Sequence, residues 1–481
     1  MTRFAPPLLL LLGGLLFFFA LGNHELHGST EARVAGIAMA MHLDDDWVVP
    51  RLFGEPFLEK PPLSLWLDAA AIRLLGASAL TVRLASAFAG LLSVMLLYGM
   101  LRQFGRPRPL AFAAALMLAT MASYWSNARS VGEDSLLSLG VIMALLGFYQ
   151  ADRSGRLGAW LLFTFGIAVA TLSKGVFGLA LTGVAIFVYL AVTAVLEKRL
   201  QLGRWLRPGL FTLLGLVPLL IWLSLLYQRA GPQAMAEVLL TNSVGRFGGS
   251  FVEAGHYESF WYYILKLPQA FLPWNILVYL GLWHFRKSLA HDRYRLFFAV
   301  WLVAGFVLLT LASSKRTVYL MALTPAAAVL AAEYAGVVLQ WLKGQAQGSN
   351  LAARMHAHRQ ALIGAFLALV VAGYLANALW YAPKVDRDRS FVALVELARS
   401  LRAEGQVVAL FRPTERVAGA TTFYLQAVLP VLHSQAQLHD YLGAATGNTA
   451  LLEGATAPAP PLAVIAQVQV NGRMYYFVRQ Q

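Results

Sequence analysis

The chain has 481 residues, 58% hydrophobic and only 13% charged, against roughly 25% charged in ordinary soluble domains, and a soluble globule cannot hide that much apolar surface. Lys and Arg number 38 against 24 Asp and Glu, a formal charge of +14, but the basic residues sit largely in short connectors between apolar runs, which marks membrane topology and not nucleic-acid binding. There is no cysteine, so thiolate catalysis, iron–sulfur clusters and disulfides are excluded.

Apolar runs fall near residues 7–22, 80–100, 109–126, 135–150, 159–173, 176–196, 209–227, 262–284, 296–312, 319–341 and 361–381. Each is about as long as a bilayer core of roughly 30 Å requires of a helix rising ~1.5 Å per residue. The expected fold is an α-helical polytopic membrane protein with eleven spans. With the N-terminus in the cytoplasm, the inner connectors carry seventeen basic residues, among them Arg102, Arg106, Arg108, Arg204, Arg207, Arg293 and Arg295, and the longer outer segments carry fewer. The positive-inside rule favours that orientation. A cleaved signal peptide at the first run would leave an even span count and conflict with the bias.

Three outer segments are more than connectors. Residues 23–79 contain amphipathic stretches, Glu31 to Met41 and Leu63 to Leu75, suited to lying along the interface. Residues 228–261 form a second long loop. The tail, residues 382–481, reads as a small α/β domain: an amphipathic helix carrying Phe391, Leu394, Val395 and Leu401, a strand at 407–411, a helical stretch at 420–426, and strands at 462–470 and 473–479. Asn471-Gly472 between the last two suits a type I′ hairpin turn, whose central residues both need positive φ. The expected division is a membrane domain, 1–381, and an outer domain, 382–481.

Ionisable groups beside spans are costly and mark function by default. The first outer loop holds Glu31 and Arg33, then Asp44-Asp45-Asp46-Trp47, then Glu59-Lys60-Pro61-Pro62. Ser29 or Thr30 as a helix N-cap, with Glu31 favoured by the dipole, is the structural alternative for Glu31. The paired prolines could be simple punctuation, yet a rigid turn also aims the Lys60 ammonium. Other outer connectors add Glu133-Asp134, Lys174, Arg246, His256-Tyr257, and Lys315 and Arg316 before Tyr319. Carboxylates and cations gathered on one side of a bilayer suit a lipid-phosphate substrate, with cations stabilising the phosphate leaving group and a carboxylate acting as base.

Across residues 23–330 the chain resembles the polytopic GT-C glycosyltransferases that use polyprenyl-phosphate sugars, above all the bacterial aminoarabinose transferases of lipid A and the protein mannosyltransferase-like enzymes. The resemblance rests on Glu31-Ala32-Arg33, Asp46-Trp47-Val48-Val49-Pro50 and Leu58-Glu59-Lys60-Pro61-Pro62, in register over thirty residues. Asp134, Lys174-Gly175, Arg246-Phe247, Phe260-Trp261-Tyr262-Tyr263, Leu272-Pro273-Trp274 and Lys315 with Tyr319 follow in the family's order. It implies inverting displacement at the anomeric carbon of an undecaprenyl-phosphate sugar at the periplasmic face of the bacterial inner membrane, with a lipid A-like lipid or a glycan as acceptor. Glu31 is then the catalytic carboxylate, with Asp134 second. Arg33, Glu59, Lys60, Lys174, Arg246, His256, Lys315, Arg316 and Tyr319 would bind the lipid phosphate and sugar. The family usually has an aspartate where this chain has Thr30. No histidine spacing identifies a metal site, although some relatives are linked with divalent metals. A transporter or flippase, and a non-catalytic binder of lipid-linked sugars, stay open as rivals; no internal repeat supports a transporter.

Overall fold

The computed structural model describes residues 4–249, 256–345, 347 and 350–481, apart from the side chains of Ser29, Ser243, Val244, Arg246 and Arg387. Among the described residues, seven helices are long and apolar enough to cross a membrane: Ala79–Gln103, Asp134–Ser154, Leu157–Glu197, Leu202–Asn242, Arg293–Leu311, Thr317–Gln345 and Arg359–Asp386. Ala5–Phe18, Arg108–Ala119 and Asn275–Phe285 are shorter apolar helices. The chain is therefore a multi-span membrane protein.

Four elements position the site. Helix α1 (Ala5–Phe18) leads through residues 19–27 into α2 (Gly28–Asp44), and α3 (Leu63–Leu75) precedes the span α4 (Ala79–Gln103). Ser78 caps α4, its hydroxyl accepting the Thr81 N–H at 3.1 Å, as an N-cap serine should. A short hairpin of β1 (Arg51–Leu52) and β2 (Glu55–Pro56) separates α2 from α3.

Two expected spans, 159–173 and 176–196, form one helical run, Leu157–Glu197, broken at Lys174 and Gly175, where Gly175 takes φ 54° and ψ −133°. A Cβ on Gly178 would lie 2.3 Å from the Ala170 carbonyl oxygen. Eight residues of straight helix span ~12 Å, so the run folds back on itself and presents Lys174 at its tip. The expected span 262–284 is likewise divided, into Tyr262–Ala270 and Asn275–Phe285, on either side of Pro273, whose ring removes a backbone donor.

The stretch Glu31 to Met41, expected to lie along the interface, is not left open to water. Ala32 through Met41 are all buried, because the tail covers the face that would meet water. Its helix Glu415–Leu425 lies directly on α2, and a Cβ on Gly36 would fall 2.4 Å from the Gly419 Cα. The tail holds a five-stranded sheet in the order β4 (Val431–Leu432), β3 (Val407–Phe411), β5 (Asn448–Gly454), β7 (Arg473–Gln480), β6 (Leu462–Val470). Strands β4 and β5 run parallel to β3, while β7 runs antiparallel to β5 and β6. Asn471 and Gly472 take φ 51° and 74° in the β6–β7 turn, as the dipeptide requires. Apolar residues of α2, α3 and the tail share one core, distinct from that of the membrane helices.

Candidate active site

Where α2 begins, its N-cap is His27, not Ser29 or Thr30. Glu31, in the first turn, reaches back to the His27 N–H at 3.3 Å and accepts the Val131 N–H at 2.9 Å. Its carboxylate is gripped by Arg83, with Nε to Oε1 at 3.0 Å and Nη2 to Oε2 at 2.9 Å. Arg83 is wholly buried and also donates to the carbonyls of Leu21, His24 and Glu25. Burial alone would raise the pKa of Glu31, but Arg83 and the Val131 amide hold it below the ordinary value.

Beside this pair lies a second network. Arg33 bridges Glu59 at 2.9 Å and Glu415 of the tail at 2.7 Å. Lys60 lies 3.6 Å from Glu59 and 2.6 Å from Glu133, and Lys174 lies 3.3 Å from the same Glu133 oxygen and pairs with Asp134. The Lys174 ammonium sits 4.2 Å from the Tyr319 ring centroid, a cation–π contact. Burial would raise the pKa of Glu133, yet the two lysines push it well below the ordinary carboxylate range. Burial would likewise weaken the charge of Arg33, and Glu59 and Glu415 more than compensate, raising its pKa. Arg316 donates to the Thr30 hydroxyl at 2.8 Å, and among the described residues no carboxylate lies within ion-pair distance of it.

These groups surround adjoining cavities. One of about 340 Å³ is lined by His27, Thr30, Glu31, Asp134 and Arg316, with Asn127 and Ser130. Another, of about 70 Å³, joins Glu59, Lys60, Lys174 and Tyr319 to Phe177, Phe247 and Ala312, so cations meet an apolar lining there. Arg33, Glu59, Lys60 and Glu133 line a third, of about 30 Å³.

Of the expected site residues, Glu31, Arg33, Glu59, Lys60, Asp134, Lys174, Arg316 and Tyr319 thus come together. Lys315 turns away, its ammonium donating to the Glu258 carbonyl at 3.2 Å, and His256 is exposed, its carbonyl accepting the Lys315 N–H at 2.8 Å. The side chain of Arg246 lies outside the described residues. Sequence reasoning missed Arg83, a lone guanidinium in an apolar span, which is itself a signal. It also left Glu133 beside Asp134 without a role, and passed over Asp386 and Glu415 in the tail. His24, His27 and Glu31 bring ligand-type atoms within 4.8 Å of one another, a grouping not expected from spacing. The Arg83 guanidinium, however, holds both Glu31 oxygens and lies 3.0 Å from His24 Nδ1, so a cation there would meet a fixed positive charge.

The fold is of the polytopic GT-C type. ArnT from Cupriavidus metallidurans has the same fold, with a TM-score of 0.77 in the apo state over 98% of this chain and 97% of that one, at 19% identity. A second structure of that protein, bound to undecaprenyl phosphate, gives 0.76. In sequence the chain resembles the aminoarabinose transferases. It is 28% identical to the undecaprenyl phosphate-α-4-amino-4-deoxy-L-arabinose arabinosyl transferase of Aeromonas hydrophila over 402 residues, covering 82% of this chain and 70% of that protein. The Pseudomonas paraeruginosa counterpart is 28% identical over 321 residues, 65% of this chain, and the chain spans just over half, 56%, of its length. Residues 59–222 match the dolichyl-phosphate-mannose-protein mannosyltransferase family.

Proposed function

We propose that this chain is an inverting glycosyltransferase that takes a sugar from a polyprenyl phosphate, at the periplasmic face of a bacterial inner membrane, and passes it to a lipid A-like or other envelope acceptor. The observation that carries this reading is the pair Lys60 and Lys174, sharing Glu133 at 2.6 and 3.3 Å beside an apolar-lined cavity. Compact ammoniums in a cavity that Phe177, Phe247 and Ala312 also line suit a phosphate on a lipid tail, and they stabilise charge that grows as the glycosidic bond breaks. Arg33 and Glu59 hold the Lys60 turn in place, and Tyr319 backs Lys174. Glu31 and Asp134 line the larger cavity and orient sugar and acceptor there. A carboxylate that receives two guanidinium bonds is a weak base, so Glu31 acts here through position and field.

All eleven apolar runs cross the bilayer in this reading, with the N-terminus inside and residues 23–79, 228–261 and 382–481 outside. Residues 1–381 form the transferase domain and 382–481 the periplasmic domain. The chemistry asks for no metal, and Arg83 opposes one between His24 and Glu31. The test is full-length protein in proteoliposomes with undecaprenyl phosphate-α-4-amino-4-deoxy-L-arabinose and lipid A. Mass spectrometry should find acceptor-dependent release of undecaprenyl phosphate that chelators leave unchanged. Sugar-lipid crossing the bilayer intact, with no release, would instead support a flippase.

A further inference from the structure

Residues 25–27, which lead into α2, belong to no helix or strand, so their backbone groups must find partners elsewhere. From the membrane side Arg83 takes the carbonyls of this loop, donating to Leu21, His24 and Glu25 at 3.0, 2.8 and 2.9 Å. From the outer side the tail takes the N–H groups. Asp386 accepts the Glu25 N–H at 2.9 Å, and the Tyr424 hydroxyl accepts the Leu26 N–H at 2.9 Å. The same hydroxyl donates to the Glu25 carboxylate at 2.7 Å. Burial raises the pKa of the Tyr424 phenol, so the proton needed for that second bond stays in place.

This short segment governs one wall of the larger cavity. It ends at His27, the N-cap of α2, and His27, Gly28, Thr30 and Glu31 all line the 340 Å³ space. Gly28 takes φ 68°, and a Cβ on it would meet nothing within 4 Å. Packing therefore does not fix the chain at Gly28, and the hydrogen bonds just before it do. Neither Glu25 nor Tyr424 lines the cavity, so their influence on it passes through α2. The smaller cavity with Lys60 and Lys174 is lined by no residue of the tail or of the segment leading into α2.

We propose that the outer domain is a working part of the transfer site and that Tyr424 is its positioning residue: by holding Leu26 and Glu25 it fixes the start of α2, and with it the wall of the cavity that receives the acceptor. The assignment rests on the glycosyl-transfer reading above. It separates the two substrates, because the lipid phosphate sits beside Lys60 and Lys174, out of reach of this segment. Loosening the segment should disturb the acceptor and spare the phosphate. The Arg33–Glu415 bridge and the close contact of Gly36 with Gly419, which hold the tail on α2, involve neither Tyr424 nor Glu25, so variants at those two positions leave the docking contacts intact.

The experiment compares full-length wild type, Tyr424→Phe, Glu25→Ala and Glu25→Gln in proteoliposomes, using the same aminoarabinose donor and lipid A. It measures turnover, KM for each substrate, undecaprenyl phosphate affinity and hydrogen–deuterium exchange across residues 24–31. Misplacing a reacting group by about 1 Å costs up to roughly 10²-fold. Tyr424→Phe should therefore lose about 10- to 100-fold in kcat/KM for lipid A, exchange faster at 24–31, and keep undecaprenyl phosphate affinity within about twofold of wild type. Glu25→Ala removes only the bond that the hydroxyl donates and should lose less, while Glu25→Gln, whose side-chain carbonyl still accepts from Tyr424, should match wild type. A merely structural tail would lower stability without separating the substrates. Lipid A kinetics in Tyr424→Phe within about twofold of wild type, or an equal loss of undecaprenyl phosphate affinity, overturns the assignment alone. Should Tyr424→Phe fail to fold, the Glu25 variants decide: Glu25→Gln outperforming Glu25→Ala with lipid A supports the assignment, and equal activity overturns it. Wild-type protein that releases no undecaprenyl phosphate overturns the transfer reading and this assignment together.

Discussion

Replacing Glu133 with glutamine removes the carboxylate that Lys60 and Lys174 share while keeping its shape. Because the two ammoniums lie 2.6 and 3.3 Å from one oxygen, they are no more than about 6 Å apart, and at an effective dielectric of ~20 their repulsion is roughly 3 kcal/mol. Glu59 and Asp134 remain nearby and absorb part of that, so the ligand-free variant should be about 1 to 2 kcal/mol less stable. A bound phosphate supplies the missing negative charge. The variant should therefore bind undecaprenyl phosphate about 10-fold more tightly, and up to about 100-fold if the whole repulsion is relieved, at 1.4 kcal/mol per decade. Turnover should fall, because a product held more firmly leaves more slowly. Native mass spectrometry of the full-length protein titrated with undecaprenyl phosphate reads the affinity, and the apparent melting temperature with and without ligand reads the stability. Affinity that is unchanged or weaker in Glu133→Gln would show that the lysine pair does not hold the phosphate.

Three further outcomes follow from buried groups and close contacts. Glu31→Gln leaves the wholly buried Arg83 without its charge partner, and breaking such a pair costs about 3 to 5 kcal/mol. Since the folded-state pKa of Glu31 lies below its ordinary value of 4.5, its stabilisation is complete above that pH and is lost as pH falls through the folded value. Melting temperatures against pH should show that acid-labile component in wild type only. Asp68 is buried with Oδ2 unpartnered, and burial pushes its pKa well above the ordinary 3.8, so the folded chain keeps a proton that the unfolded one releases and stability falls as pH rises from 3.8 toward the folded value. Asp68→Asn should abolish that slope and be neutral or stabilising at pH 7; strong destabilisation there would refute the account. Gly419→Ala places a Cβ 2.3 Å from the Ala32 carbonyl oxygen, and the overpacking should cost about 1 to 3 kcal/mol, lift the tail from α2 and expose it to limited proteolysis.

Much of the architecture was legible because membrane helices announce themselves by length and apolarity. The helix Ala79–Gln103 follows from composition alone, and the β6–β7 turn follows from Asn471-Gly472 alone. What escaped depends on residues far apart in sequence. The burial of α2 comes from Gly36 meeting Gly419 and Arg33 meeting Glu415, and no local pattern encodes a contact across some 380 positions. Lys315 and Arg316 could not be separated by sequence, since both are cations beside a span. The backbone separates them: Arg316 is extended, at φ −139° and ψ 139°, and successive side chains of an extended segment point to opposite faces. Arg316 therefore reaches Thr30 while Lys315 turns to Glu258.

Thr30 itself stands where the resemblance to the GT-C enzymes implies an aspartate, and its partner gives the substitution a physical meaning. An aspartate 2.8 Å from the Arg316 guanidinium would form an ion pair and cancel its charge inside the cavity. A threonine hydroxyl accepts the same hydrogen bond but leaves the charge uncancelled. Burial would weaken that charge, and Tyr319, Asp134 and Glu133 more than offset the effect, so Arg316 stays firmly protonated. The larger cavity thus keeps a cation at one wall with no carboxylate in ion-pair contact among the described residues, while Lys60 and Lys174 are neutralised by Glu59, Glu133 and Asp134. A chain that gives up a carboxylate at this position gains attraction for an anionic group there.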